Sequence, residues 1–294
     1  MDKNVLPARA ITEPGIPWVI RGDRALTVSA PFGIMGIVNL TPDSFYDGGR
    51  HGGAESCLAH ALTLLGDGAD VLDLGAESSR PGAEPISPQE ELSRLLPTLT
   101  ALQRKVPDAV ISVDTWRADT AATALEAGAA IINDISGCRG DAALPDVLAQ
   151  YKPGYVLMHG AGFPADREVP SFADICGEVM RFFEQGLARL TAAGLPENRI
   201  VLDPGIGFGK RLEHNVRLLA RVEDWACFGR PVLLGLSMKS LFGKLLGLPT
   251  AERGPATQVA SALLWERGVF WHRVHDVRGV RQALALAAAM RRQA

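Results

Sequence analysis

The amino-acid sequence predicts an α/β protein: a single-domain (β/α)8 TIM barrel with a short N-terminal hairpin. Short apolar runs alternate with longer amphipathic stretches, which is the pattern of parallel strands joined by crossover helices. Eight such strand-helix units fill roughly 250 residues, the size of one large barrel, with no Pro/Ser/Gly-rich linker between them. The first run is followed by Asn39-Leu40-Thr41-Pro42-Asp43 instead of a glycine-rich dinucleotide fingerprint, which disfavours an open doubly wound sheet.

In chain order, residues 1–30 are expected to form an N-terminal extension and hairpin, and residues 31–294 the barrel. Trp18 to Val28, around Arg21-Gly22-Asp23, has a polar turn between two short strands and fits a hairpin that plugs the barrel bottom. The eight strands are expected at Ile34–Asn39, Asp70–Leu74, Val110–Asp114, Ala130–Asp134, Tyr155–His159, Ile200–Asp203, Pro231–Leu236 and Gly268–His275. Helical spacing is found at Ala54–Gly68, Pro88–Lys105, Ala118–Ala127, Phe172–Ala193, Glu213–Val222 and Pro255–Glu266, with a last helix over Ala283–Met290. Ser87-Pro88 offers a cap followed by proline in the first turn, and Gly68, Gly128 and Gly194 fall where helices should stop.

The composition narrows the function classes. With 47% hydrophobic residues, 21% charged and a formal net charge of -3, the chain is an ordinary globular protein. No block of like charges suggests nucleic acid or a membrane surface as partner. Cys57, Cys138, Cys176 and Cys227 are scattered without metal-type spacing, so reduced thiols are expected. No apolar stretch is long enough for a signal peptide or a spanning helix, so a cytoplasmic protein is expected.

A barrel builds its active site at the C-terminal ends of its strands. The eight runs end, in order, in Asn39; Asp73 leading into Glu77; Asp114; Asn133-Asp134; His159; Asp203; Ser237-Met238-Lys239; and Arg273 with His275. Polar residues at a single strand end can simply cap a helix or close a turn, but polar residues at all eight would converge on one mouth. Asp114, Asn133, Asp203 and Lys239 supply carboxylate acceptors, an amide and an ammonium. That set suits a flat heterocycle such as a pteridine or a purine, and the competing reading is a buried Asp-Lys pair that holds the mouth together. Arg273 and His275 lie two apart on a strand, so they point the same way and form a candidate anion site; Asn39 could add an oxygen ligand for a hard divalent cation on a diphosphate. Gly205-Ile-Gly-Phe-Gly-Lys210 lacks phosphate-loop spacing and instead lets backbone and the Phe208 ring approach a ligand. His159 is given no catalytic role. Leu40–Gly49 and Ser78–Glu84 have the Gly, Pro and small polar residues of loops that cover a barrel mouth.

From about Gly33 to Met290 the chain resembles the dihydropteroate synthase family, within the wider group of pterin-binding barrels. The resemblance rests on Met35-Gly-Ile-Val-Asn-Leu-Thr-Pro-Asp-Ser-Phe45, Asp73-Leu-Gly-Ala-Glu-Ser-Ser-Arg-Pro-Gly82, Ser112-Val-Asp-Thr115, Ile132-Asn-Asp-Ile135, Leu157-Met-His159, Asp203-Pro-Gly-Ile-Gly-Phe-Gly-Lys210 and Arg273-Val-His-Asp-Val277. It implies a transferase of folate biosynthesis, a sulfonamide target, that condenses (7,8-dihydropterin-6-yl)methyl diphosphate with 4-aminobenzoate. It also implies Mg2+ as cofactor and a homodimer formed through the last helices.

By the same resemblance Asp114, Asn133, Asp203 and Lys239 would hold the pterin, with Ile135, Met158, Gly207 and Phe208 lining its slot. Asn39, Arg273 and His275 would hold diphosphate with Mg2+, Asn39 being the metal ligand. Phe45, Ser78, Ser79, Arg80 and Ser237 would serve the diphosphate and aminobenzoate side, and Asn39, Arg80, Lys239, Arg273 and His275 are the expected catalytic set. The alternatives are a non-catalytic pterin-binding paralogue and a methyltetrahydrofolate-dependent methyltransferase. The chain departs from the family pattern at Met238, where the family carries Arg, and at Ser79, where it carries Thr. Ala76 replaces a second glycine, and Trp271-His272 puts bulk just before Arg273.

Overall fold

The computed structural model describes residues 16–41, 53–78, 83–160 and 170–293. A two-stranded antiparallel hairpin, β1 (Trp18–Ile20) and β2 (Arg24–Leu26), comes first, pairing Trp18 with Leu26. Eight parallel strands follow: β3 (Gly33–Asn39), β4 (Val71–Gly75), β5 (Ile111–Asp114), β6 (Ile131–Asp134), β7 (Gly154–Met158), β8 (Ile200–Asp203), β9 (Leu233–Leu234) and β10 (Trp271–Val274). They are ordered β8-β7-β6-β5-β4-β3-β10-β9, and a parallel bridge from Leu202 to Val232 joins the two outer strands, closing the barrel.

The helices alternate with the strands: α1 (Gly53–Gly66), α2 (Pro88–Lys105), α3 (Ala118–Glu126), α4 (Leu144–Tyr151), α5 (Ile175–Ala193), α6 (Leu212–Ala220), α7 (Ser240–Leu246), α8 (Gly254–Trp265) and α9 (Val277–Arg291). The expected signals act where they were read. Ser87 Oγ accepts the Glu90 N–H at 3.1 Å, capping α2. Gly68, Gly128 and Gly194 take left-handed φ values of 98°, 108° and 109° just past α1, α3 and α5. Two helices escaped the sequence reading. Helix α4 spans 8 residues with Pro145 in its first turn, and α7 spans 7 with Gly243 inside; both are too short for a 3.6-residue period to stand out. Helix α9 begins at Val277, ahead of the expected Ala283, because Asp276 caps it by accepting the Gly279 N–H at 2.9 Å.

Strand alternation divides the buried side chains into two bodies. Ile34, Val38, Leu72, Leu74, Val113 and Ile132 face the helices, while Met35, Val71, Val110, Ile131, Val156, Val201, Leu233 and Trp271 fill the lower barrel interior. The hairpin closes the floor: Trp18 and Ile20 join the interior cluster, and the Trp18 ring meets Trp271 edge-on at 5.3 Å. Trp18 Nε1 donates to the Arg199 carbonyl at 2.7 Å, and the buried Arg199 guanidinium donates to the Ile20 carbonyl at 2.8 Å and pairs with Asp23. The Trp271 part of the bulk before Arg273 is therefore floor packing. A Cβ on Gly33 would meet the Trp271 ring at 2.4 Å, so this strand position is left bare to admit the indole.

Candidate functional site

The interior positions above the apolar floor are polar. On β3 the inward parity that begins with Met35 continues to Asn39; on β4 it runs from Val71 to Asp73 and Gly75; on β5 from Val110 to Ser112 and Asp114; on β6 from Ile131 to Asn133. Likewise Val156 leads to Met158, Val201 to Asp203, and Trp271 to Arg273 and His275. The sequence places the polar groups at the mouth by carrying this alternation through the end of each strand.

Asp114 on β5 and Asp203 on β8 are the acceptors expected for a heterocycle. Burial pushes the Asp114 carboxyl up to about 7 although Arg273 opposes the shift, and burial pushes Asp203 up to about 6 against the hydrogen bond it accepts from the Gly205 N–H at 2.7 Å. Lys239, the residue before α7, is lowered to about 8 by burial and then by the Arg273 charge; its ammonium lies 4.0 Å from the Phe208 ring centroid. Asn133 is buried, donating Nδ2 to Asp73 Oδ2 at 2.9 Å, and Met158 is buried beside it on β7.

Gly205, Gly207 and Gly209 have φ values of 66°, 84° and 60°. At Gly205 a Cβ would lie 2.1 Å from the His159 carbonyl oxygen, so only glycine fits there. Lys210 does not face the mouth: its buried ammonium donates to the carbonyls of His159, Gly205 and Phe208 at 2.7, 2.9 and 3.2 Å, and burial lowers it to about 7. Asn215 holds the same loop, accepting the Gly207 N–H at 2.7 Å and donating to Lys210 and Arg211 carbonyls. The loop is thus held by its own hydrogen bonds on both sides of Gly207 and Phe208.

Arg273 lies between two carboxylates. Its Nε donates to Asp73 Oδ2 at 2.6 Å and its Nη2 to Asp114 Oδ2 at 2.8 Å, and burial notwithstanding these anions raise its pKa. His275, exposed at the rim, has Nδ1 2.9 Å from Ser237 Oγ, and its backbone N–H donates to the same hydroxyl at 3.2 Å. Met238 has a left-handed φ of 59°; its N–H donates to Thr257 Oγ1 at 3.3 Å and its carbonyl accepts from Arg253 Nη1 at 3.1 Å, so the start of α8 pins the turn that carries Ser237 and Lys239.

Of the other expected residues, Asn39 is exposed at the end of β3, and Ile135 is half-buried just after β6. Ser78 is described at the edge of the second loop, whereas Phe45, Ser79 and Arg80 lie outside the described residues. The base of that loop is tightly held: Arg117 donates to both Glu77 oxygens, to Glu91 at 2.9 Å and to the Ile86 carbonyl at 2.9 Å, and Glu77 accepts the Ile86 N–H at 3.0 Å. His159 is a core histidine, held neutral by burial that lowers it to about 3 and flanked edge-on by Phe172 and Phe182. Asp134 caps the turn after β6, accepting from Ser136, Cys138 and Tyr155. Asp73, read in the sequence as the polar end of the second strand, was given no role in the site. Its signal was available: an acid inside Val71-Leu-Asp-Leu-Gly75 at the same parity as inward Val71.

Among the described residues, no group of three or more His, Cys, Asp or Glu could hold a metal ion. Asn39 offers a single hard oxygen. That suits Mg2+ arriving on a diphosphate, where phosphate and water supply most of the six ligands, and does not suit a resident all-protein site.

Residues 35–275 match the family of pterin-binding enzymes. The chain is 40% identical over 268 residues to the dihydropteroate synthase of Mycobacterium leprae strain TN, covering 88% of this chain and 94% of that one. The chain belongs to the dihydropteroate synthase family. A solved dihydropteroate synthase from Xanthomonas albilineans, with 4-aminobenzoic acid, superposes with a TM-score of 0.87 at 38% identity, covering 94% of this chain and 98% of that one. The Coxiella burnetii enzyme in complex with pteroic acid does so with a TM-score of 0.85 at 31% identity, covering 95% and 100%.

Proposed function

We propose that the chain is a transferase of folate biosynthesis that condenses (7,8-dihydropterin-6-yl)methyl diphosphate with 4-aminobenzoate, releasing diphosphate and 7,8-dihydropteroate. The observation that carries this reading is the convergence of Asp114, Asn133, Asp203 and Lys239 at the mouth of a barrel that belongs to the dihydropteroate synthase family. The pterin ring would donate from its amino and ring N–H groups to the two carboxylates and accept from Lys239 and Asn133, with Ile135, Met158, Gly207 and Phe208 against its faces.

No protein nucleophile is needed. Arg273 and His275 donate to the departing diphosphate, and Lys239 lies close enough to the site to favour developing negative charge on the leaving group. The amine of 4-aminobenzoate then captures the resonance-stabilised pterin cation, held in line by the mouth, with Ser237 and Ser78 proposed to serve that second substrate; Phe45, Ser79 and Arg80, expected for the same role, lie outside the described residues. Mg2+ bound with the diphosphate would neutralise its charge, with Asn39 as its protein ligand. Exclusion of water that could quench the cation is the role expected of segments 40–49 and 78–84, most of which lies outside the described residues.

Exposed Val259 and Leu263 on α8 and Leu286 and Met290 on α9, two helices packed against each other, are apolar residues that a homodimer would bury. Among the described residues no helix is long and apolar enough to cross a membrane, and a cytoplasmic location is part of the reading. Sulfonamides, as mimics of the second substrate, should compete with 4-aminobenzoate.

The test is diphosphate release from the pterin diphosphate with Mg2+, with and without 4-aminobenzoate. Release that requires the amine and yields dihydropteroate is expected. Tight pterin diphosphate binding without turnover would instead favour a non-catalytic paralogue, the reading that Met238 invites.

A further inference from the structure

Asp73 is a fully buried carboxylate, at 0% exposure, and none of the mouth assignments uses it. Its Oδ2 accepts two hydrogen bonds, from Arg273 Nε at 2.6 Å and from Asn133 Nδ2 at 2.9 Å. Its Oδ1 has no partner among the described residues, and neither does Ser112 Oγ at the paired position of the next strand. A buried acid with one oxygen unpaired is poor design for stability, since a well-packed apolar residue would serve the core better. Arg273 is shared: Nη2 contacts Asp114, which also faces the heterocycle site, while Nε contacts Asp73, one inward layer deeper.

We propose that Asp73 is a positioning residue that keeps Arg273 and Asn133 in place while Asp114 passes from the guanidinium to the arriving pterin ring. A planar guanidinium held at Nε by a fixed carboxylate keeps its Nη edge oriented, and freeing Nη2 from Asp114 leaves that donor available to an oxyanion. Pterin binding would thus prime the anion site, and the order of events follows from geometry: one carboxylate lets go and the other holds. This inference rests on the reading of Arg273 as the group that receives the diphosphate.

Two ligands separate the effects: 6-hydroxymethyl-7,8-dihydropterin and its diphosphate, titrated calorimetrically into wild-type protein, Asp73→Asn and Asp73→Glu. The ratio of the two dissociation constants isolates what the diphosphate adds, and a general loss of structure would not change it selectively. In Asp73→Asn that ratio should shrink by at least about tenfold, the scale of one charge-assisted hydrogen bond, and Asp73→Glu should restore part of it. In the wild-type protein, which needs no variant to fold, the Arg273 Nε–H resonance should keep its hydrogen-bonded position when the pterin alcohol is added while the Nη resonances shift.

A ratio unchanged or enlarged in folded Asp73→Asn, or loss of the Nε–H signal on pterin binding, would overturn the role of Asp73 alone. If wild-type protein gained nothing from the diphosphate, the anion-site reading would fall and Asp73 with it.

Discussion

Replacing Asp203 by Asn removes a charge and little else. The side chain is 5% exposed, and its Oδ1 accepts the Gly205 N–H at 2.7 Å, a bond the Asn carbonyl can also accept. Burial raises the folded pKa to about 6, above an unfolded value near 3.9, so between those values the folded chain binds more protons than the unfolded one. Stability contributed by this group is then present in acid and falls as pH rises through that window; above about 6 the ionisation penalty is complete. Asp203→Asn should therefore be no less stable than wild type at pH 8, with a flatter stability profile between pH ~4 and ~6. Binding should respond in the opposite way. A charge-assisted hydrogen bond is worth about 1.5–3 kcal/mol, so affinity for 6-hydroxymethyl-7,8-dihydropterin should fall roughly 10- to 150-fold at pH 8. Below pH ~6 wild type loses the same charge, and the gap should close. Asp114 titrates in both proteins and cancels in their ratio. Calorimetric titration at pH 5.5, 7 and 8 with melting curves at each pH makes the comparison. A deficit that does not narrow in acid, or a variant that melts well below wild type at pH 8, would refute the assignment.

Two further outcomes follow from other contacts. Arg117→Met should leave Glu91, at 1% exposure, with Thr120 as its one remaining side-chain partner among the described residues and cost about 3–5 kcal/mol, lowering the melting temperature by roughly 10 °C in thermal denaturation. Met238→Arg adds a guanidinium on a turn whose backbone is already pinned by Thr257 and Arg253; steady-state kinetics should show a lower KM for 4-aminobenzoate and an unchanged KM for the pterin diphosphate, and a change in the latter alone would contradict the side of the mouth assigned to it.

The barrel was legible because its signals are local and repeated: apolar runs of strand length, caps such as Ser87, and stop glycines such as Gly194 each act within a few residues. The mouth was legible for a related reason, since strand parity carries Asp114, Asn133 and Asp203 inward from apolar neighbours whose burial is easily foreseen. What could not be read were partnerships between distant residues. The Arg273–Asp73 contact spans 200 positions, and nothing near either residue announces the other. The sequence of loop 205–210 named no partner for Lys210, and three left-handed glycines turn that loop so that its own carbonyls and that of His159 capture the ammonium. Trp271 looked like bulk beside the anion site because adjacency in sequence hides a strand's direction: two residues down β10 is one layer down toward the floor.

The mouth also holds more buried acid than base that titrates near neutrality, and this makes ligand binding a proton-linked event. Asp203 sits at about 6 and Lys239 at about 8, both displaced mainly by burial. A ring that donates to Asp203 stabilises its ionised form and draws its pKa down, so binding near pH 6 should release a proton. A ring acceptor that takes a hydrogen bond from Lys239 stabilises the ammonium and draws its pKa up, so binding above pH 8 should take a proton up. Asp114 exchanges the Arg273 guanidinium for the ring's donors, one favourable partner for another, and contributes less to either flow. The apparent binding enthalpy measured in two buffers of different ionisation enthalpy should thus differ in opposite senses at pH 6 and pH 8.5, with the crossing between them. Equal enthalpies in both buffers at both pH values would mean that neither Asp203 nor Lys239 touches the ring.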